Sequence, residues 1–295
     1  MNSNEVKKHA YLILAHEDNL TLRTLVGLID DQQNDIFIHM EKKNKSYDPG
    51  YIEKIPQKSK VYHSDRIKVS WGGYSVIEAE LMLLKLAVEK GKYLYYHLLS
   101  GQDLPIKSMK DIRSFFDYNQ GKEFVRFQDS VYHYQYRTKY FYFLQEAVGR
   151  NGSSVFQTID KISVKIQKVL HVQRNKNVVF QKGTQWFSIT DELARYVLEK
   201  AEWIKKVFKY TLCCDELFLQ TIISNSRFQE RLFHKEFDDD LEAIMRLIDW
   251  ERGNPYVFRK EDYEDIIKCK FLFARKFDEK IDREIIYRIR DSLKP

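Results

Sequence analysis

The sequence predicts an α/β fold with strands and helices alternating around a parallel sheet, and three observations carry that expectation. Short apolar runs alternate with helix-patterned segments through the first quarter of the chain. A helical pattern over 75–90 is bracketed by start and stop signals. The run after it is apolar at nearly every position, as a strand buried on both faces must be. With 295 residues and 43% hydrophobic content, the chain has enough material for one large core, so a single domain over 1–295 is expected.

In chain order, AYLILAH (10–16) reads as the first strand, Leu20 to Ile29 as a helix, and DIFIHM (35–40) and KVYHS (60–64) as further strands. Ser75 and Glu78 form a capping-box pattern that starts a helix, and Gly91 stops it. The strand in KYLYYHLLSG ends at Ser100-Gly101, so Gln102-Asp103 emerges at a carboxyl edge, where open α/β sheets bind ligands. A second capped helix, Ser108 to Tyr118, leads to the strand EFVRFQ. The aromatic stretch 131–143 reads either as packed tyrosines or as a flat surface on which a sugar ring stacks, with Tyr134 and Tyr136 at its centre. Residues 144–180 carry few chemical signals. Asp191 to about Phe208 is expected as one helix, Asp215 to Ser224 as another, and 278–295 as a charged closing helix.

The 49 Lys and Arg against 43 Asp and Glu leave a net charge of +6, which suits a phosphate-bearing small ligand and does not require nucleic acid. Three cysteines, Cys213, Cys214 and Cys269, make no disulfide framework and point to a reducing compartment. The longest apolar runs are far below membrane-spanning length, so the chain reads as cytoplasmic, with peripheral membrane association left open.

Two segments have the residue types for catalysis on a phosphate-bearing ligand. TLCCDELFLQTIISNS places Asp215 and Glu216 at an expected helix start, backed by Leu217, Phe218, Thr221 and Ile222. Acids in a first turn ordinarily complement the helix dipole. A carboxylate with apolar backing also acquires the raised pKa of a general base. FLFARKFD sets Arg275 and Lys276 among phenylalanines, and cations at a hydrophobic wall need an anion: a protein carboxylate or the diphosphate of a nucleotide sugar. Arg252, in DWERGNP, is the candidate for a second clamp. Asp238-Asp239-Asp240 contains an Asp-x-Asp pattern of the kind that holds a divalent metal, but it lies far from the sheet edge at Asp103 and reads as a solvated cap. No metal site, glycine-rich phosphate loop or serine elbow is expected.

Taken in order, YLILAHED, IFIHMEKK, VSWGGYSVIEAELMLLKLA, YYHLLSGQDLPIKS, GTQWFSIT, CCDELFLQTI and LFARKFD resemble the core-2/I-branching β-1,6-N-acetylglucosaminyltransferase family, which includes peptide O-xylosyltransferases. The resemblance spans about residues 10–278. It implies a GT-A-type fold with a central mixed sheet flanked by helices. About 1–125 would be the nucleotide-binding half and about 126–295 the acceptor and catalytic half. It also implies inverting, metal-independent transfer from a UDP-sugar to a glycan acceptor, with no cofactor. Carried over by motif, Glu216 is the base. Leu14, Ala15, His16, Glu41, Trp71, Asp103, Arg252, Arg275 and Lys276 are on the donor side. Tyr134, Tyr136 and Trp186 are on the acceptor side. Glu41 stands where the family usually has aspartate. The family favours GlcNAc as the donor sugar, with xylose behind it. Without the disulfides and anchor of eukaryotic members, the chain looks like a bacterial relative acting on capsule, exopolysaccharide or another cell-envelope glycan. Transfer of another UDP-hexose and glycan binding without turnover remain the alternatives.

Overall fold

The computed structural model describes residues 8–149 and 154–294. Nine strands are present among them: β1 (His9–Ala15), β2 (Asn34–Met40), β3 (Lys60–His63), β4 (Tyr95–Ser100), β5 (Asp103–Pro105), β6 (Phe124–Phe127), β7 (Gly183–Thr190), β8 (Arg246–Ile248) and β9 (Phe273–Arg275). Six of them form a sheet in the order β3-β2-β1-β4-β7-β6. β1 to β4 run parallel within it, as the rhythm of the first quarter predicts, while β7 is antiparallel to both β4 and β6. The result is the expected α/β architecture, a central mixed sheet with helices on both faces.

Period-two alternation sends successive side chains of the central strands to opposite faces. Because both faces are covered, the strands are largely apolar, with the buried polar residues His9, Asn34, Asp35, His39, His97 and Ser100 among them. Ala10 and Leu12 of β1, with Tyr96 and Leu98 of β4, enter the core beneath the helices Tyr74–Lys90, Asp191–Glu199 and Ala201–Phe208. Tyr11, Ile13 and Ala15, with Tyr95 and Leu99, enter the opposite core beneath Leu20–Leu28, Met109–Tyr118 and Arg283–Leu293. Each fully buried large side chain contributes roughly 1.5–3 kcal/mol, so a polar residue at either parity would cost a core contact.

The remaining three strands form a small sheet, β5-β9-β8, in which Asp103 of β5 pairs in register with Arg275 of β9. The two most distinctive sequence segments, SGQDLPIK and FARKF, are therefore adjacent strands. Arg246 of β8 is fully buried and donates to the carbonyl oxygens of Leu98 in β4 and Phe187 in β7. It fastens the small sheet to the large one and fixes β9 beside the site.

Three local expectations are corrected. The helix at 75–90 has no Ser75–Glu78 capping box: it starts at Tyr74 with Gly73 as N-cap. Its first turn is instead met by Glu146, whose carboxylate accepts from Ser75 N at 2.9 Å and Ser75 Oγ at 2.7 Å, because a distant acid reaches both donors of one residue. The helix expected over Asp191 to Phe208 parts at Lys200 into two. Asp215 and Glu216 lie in a 3₁₀ turn, Cys214–Glu216, before the α-helix Phe218–Ser224, because Leu217, at φ −124°, separates the two. Among the described residues, no helix is long and apolar enough to cross a membrane.

Candidate active site

The carboxyl ends of β1, β2 and β4 open onto a cleft of about 610 Å³ that is closed on the far side by β7, the Cys214–Glu216 turn and the end of β9. Among the sequence-predicted residues, the cleft brings together Leu14, Ala15, His16, Glu41, Trp71, Trp186, Glu216, Arg275 and Lys276.

On the first wall, polar groups are fixed by backbone. Glu41 Oε2 accepts from Val69 N at 2.8 Å and Oε1 from Lys43 N at 3.0 Å. The longer arm of glutamate thus reaches the loop that leads to Trp71. His39 Nε2 accepts from Ile67 N at 3.2 Å, and burial lowers the pKa of this imidazole against the pull of Glu41. Burial also lowers the pKa of His16, helped by the charges of Lys276 and Lys280 and opposed by Glu17, so both rings face the cleft uncharged at neutral pH. Trp71 stands exposed at the lip. It precedes Gly72, whose φ of +75° suits glycine and whose added Cβ would come within 3.2 Å of Cys213 Sγ.

The opposite wall holds two acids and a group of cations. Glu216 Oε2 accepts from Arg137 Nη1 at 2.8 Å and lies 3.5 Å from Lys182 Nζ. Both cations also stack on the Tyr134 ring, each 4.9 Å from its centroid. Asp215, in the same Cys214–Glu216 turn, lines the same cleft. The apolar surroundings expected for Glu216 belong to Asp215. Burial, then the neighbouring Glu216 charge, pushes the Asp215 carboxyl up to about 7, and its Oδ1 has no hydrogen-bond partner among the described residues.

Arg275 is stacked on Trp186 with its guanidinium carbon 4.0 Å from the ring centroid. Its Nε lies 3.6 Å from Asp103 Oδ1, an ion-pair distance without a hydrogen bond. Arg275 Nε and Nη1 and Asp103 Oδ1 are buried without hydrogen-bond partners among the described residues. Burial lowers the Arg275 pKa against the opposing charge of Asp103. Burial likewise raises the Asp103 pKa, while Arg275 and Arg246 oppose that rise. Both shifts show charges held in a dry wall. Lys276 follows directly into the cleft lining.

Four sequence-predicted residues stand elsewhere. Asp103 does not line the cleft: it lies under the wall, and its neighbour Gln102 faces the opening instead. Arg252 lies outside as well, with its guanidinium bonded to Asp249 and Asp262 because both carboxylates lie within its reach. Trp250, Asn254 and Pro255 of the same segment take the cleft positions. The DWERGNP segment therefore reaches the cleft through its aromatic and turn residues, while its arginine is paired within the protein. Tyr134 and Tyr136 are set back from the cleft lining and carry Arg137 on their rings, which leads from them to Glu216. Sequence reasoning missed Gln185, whose amide donates to the fully buried Glu80 at 2.8 Å, and Arg137 and Lys182, for which no local pattern signals a partnership with Glu216. The triple aspartate is engaged in structure: Asp238 meets His234, Asp239 meets Arg126, and Asp240 caps the turn Leu241–Ile244. Among the described residues, no three His, Cys, Asp or Glu side chains gather as a metal site.

A family model described as Core-2/I-Branching enzyme matches residues 9–268. Human N-acetyllactosaminide β-1,6-N-acetylglucosaminyl-transferase is 25% identical over 193 residues, covering 64% of this chain and 45% of that protein. Xylosyltransferase 1 of Rattus norvegicus is 19% identical over 318 aligned positions, covering 97% of this chain and 35% of that protein. The chain therefore spans less than half the length of these two relatives. Among solved structures, the apo form of mouse xyloside xylosyltransferase 1 is 12% identical, covers 91% of this chain and 97% of that one, and has a TM-score of 0.40.

Proposed function

From the premise that the chain belongs to the Core-2/I-Branching enzyme family and is a glycosyltransferase, we propose that it moves a sugar, GlcNAc ahead of xylose, from a UDP donor to a glycan hydroxyl by inverting, metal-independent transfer. A bacterial capsule, exopolysaccharide or other cell-envelope glycan is the acceptor class in this reading. The observation that carries it is one cleft gathering Glu216 with Arg275 and Lys276 at the carboxyl edge of the sheet.

In this mechanism, the uridine lies along Leu14, Ala15, His16 and Glu41, and the diphosphate lies against Arg275 and Lys276. Glu216 takes the proton of the acceptor hydroxyl as its oxygen attacks the anomeric carbon from the face opposite UDP. The bond from the anomeric carbon to the β-phosphate oxygen breaks, its electron pair leaves with UDP, and the two cations stabilise the charge that develops there. Arg137 and Lys182 hold Glu216 in place through one carboxylate oxygen, and fixing a base in this way supplies orientation before the acceptor arrives.

A second reading gives the proton to Asp215, because its carboxyl lines the same cleft and is pushed up to about 7. Glu216 is preferred because it is half exposed at the opening, where an acceptor arrives, whereas Asp215 is buried.

The test is UDP release from UDP-GlcNAc, UDP-xylose, UDP-glucose and UDP-galactose, with and without EDTA, in the presence of cell-envelope glycans. Acceptor-dependent release that survives EDTA is expected. Release that needs added Mn²⁺ or Mg²⁺ would overturn the metal-independent mechanism, and binding of the glycans with no release from any of the four donors would make the chain a glycan-binding protein.

A further inference from the structure

The helix Ser154–Val169 packs the wrong way round for a water-exposed helix. The side chains it turns to the body are polar: Asp160 and Gln167 are buried. Gln167 Oε1 accepts from Phe141 N at 2.8 Å, and its Nε2 donates to Phe141 O at 2.9 Å. Asp160 Oδ1 accepts from Leu144 N at 3.4 Å. Its outer side is aliphatic. Ile159, Ile162, Ile166 and Val169 recur at steps of three and four, which puts them on one face. They are 45%, 50%, 52% and 75% exposed, and Leu170 continues the face at 68%. Isolated exposed apolar residues are ordinary, but a contiguous stripe of five marks a surface with something to cover it.

The charges beside the stripe identify its occupant. Lys161, Lys165 and Lys168 are exposed along its shoulder, and the helix's one acid, Asp160, is turned inward. A second copy docked through the same stripe would bring lysines against lysines with no carboxylate on either helix to pair them. An anionic lipid surface accepts the aliphatic side chains below its headgroups and the ammonium groups at its phosphates. We propose that this helix seats the enzyme on anionic membrane. Leu144, bonded to Asp160, precedes Gln145, whose amide donates to Trp71 O at 3.2 Å, so the seated helix is tied to the lip of the cleft. The glycan acceptor would then be met at the lipid surface.

The experiment is cosedimentation of the full chain with phosphatidylglycerol–phosphatidylcholine vesicles and with phosphatidylcholine vesicles. The wild type is expected to partition onto the anionic vesicles and to leave them as salt rises. Ile162→Ser with Ile166→Ser, both at exposed positions, is expected to lower that partition by on the order of tenfold or more while leaving the melting temperature and UDP binding unchanged. Lys161→Gln with Lys165→Gln is expected to weaken anionic binding and leave the melt unchanged. Absence of wild-type binding, or binding that the isoleucine variants leave intact, would overturn the proposal. A wild-type dimer that these variants convert to monomer would overturn it in favour of a second copy. UDP release is not the readout, so failure here leaves the transfer reaction standing.

Discussion

The two walls of the cleft treat their polar groups in opposite ways. On the wall made by β1, β2 and the loop to Trp71, Glu41 and His39 already accept backbone N–H groups, and they hold that loop in place with or without a ligand. On the wall made by β7, β9 and the Cys214–Glu216 turn, Asp215 Oδ1 and Arg275 Nη1 are buried with no hydrogen-bond partner among the described residues. Each such buried group costs about 1–3 kcal/mol when left unsatisfied. A fold that carries them beside a cleft stores charge in position for a ligand, so that little reorganisation remains when one binds. In the proposed reaction the first wall is a mould for the donor, and the second is the part that works on it. Substitutions on the second wall should therefore change rate and anion affinity.

The largest effect belongs to Glu216→Gln. Transfer should fall by roughly 10²–10⁴, the usual loss for a general base, with UDP affinity retained because the phosphate side is untouched. Steady-state UDP release and calorimetry on the same preparation check both parts. If Asp215→Asn loses more transfer than Glu216→Gln, the second reading replaces the first.

Asp215 also gives a pH signature. Its carboxyl titrates at about 7 in the folded chain against an ordinary value of 3.8. Across about pH 4 to 7 the native state therefore binds more protons than the unfolded state, and stability falls as pH rises through that window. Below the window both states are protonated, and above it the penalty is complete. Asp215→Asn cannot ionise, so its melting temperature should decline less than the wild type's from about pH 4 to pH 8. Glu123, also pushed up to about 7 by burial, keeps some slope in both proteins. Parallel melting curves would show that Asp215 is ionised and satisfied in solution.

Lys276→Ala sharpens the contrast between anion and base. A charge-assisted contact to phosphate is worth ~1.5–3 kcal/mol, so UDP should bind about 10- to 150-fold more weakly while uridine binds as before. Equal losses for both ligands, accompanied by a lower melting temperature, would assign Lys276 to the protein's own structure.

Much of this was legible from short-range pattern. The parallel strands, the edge at Ser100 and the segments that line the cleft follow from periodicity and motif, because the sheet's pleat writes itself into every second residue. Pairings across long chain separations were not legible. Nothing around residue 137 or 182 signals that both cations grip Glu216, and the cap of the helix Tyr74–Lys90 comes from Glu146, 71 residues beyond Ser75. The inverted helix Ser154–Val169 escaped for a related reason: its apolar stripe faces outward, so its pattern does not report the core.

The smallest effect should come from Arg252, and it tests whether a cation's sequence neighbourhood or its partners decide its role. Arg252 and Arg275 both sit in C-terminal segments rich in aromatic residues, and the sequence makes clamps of both. Arg275 stands in the cleft wall with unpartnered nitrogens, whereas Arg252 donates through Nε to Asp249 and through Nη1 to Asp262. Its side chain is 49% exposed, so solvent screens those pairs and their loss should cost no more than about 1 kcal/mol. In a chain of this size, that amounts to a fall of about 2–4 °C in melting temperature. Arg252→Ala should therefore melt slightly earlier and bind UDP as the wild type does. A tenfold loss of UDP affinity without a change in melting temperature would mean that the donor draws Arg252 away from its two aspartates and into the cleft, and the division between the walls would have to be redrawn to include it.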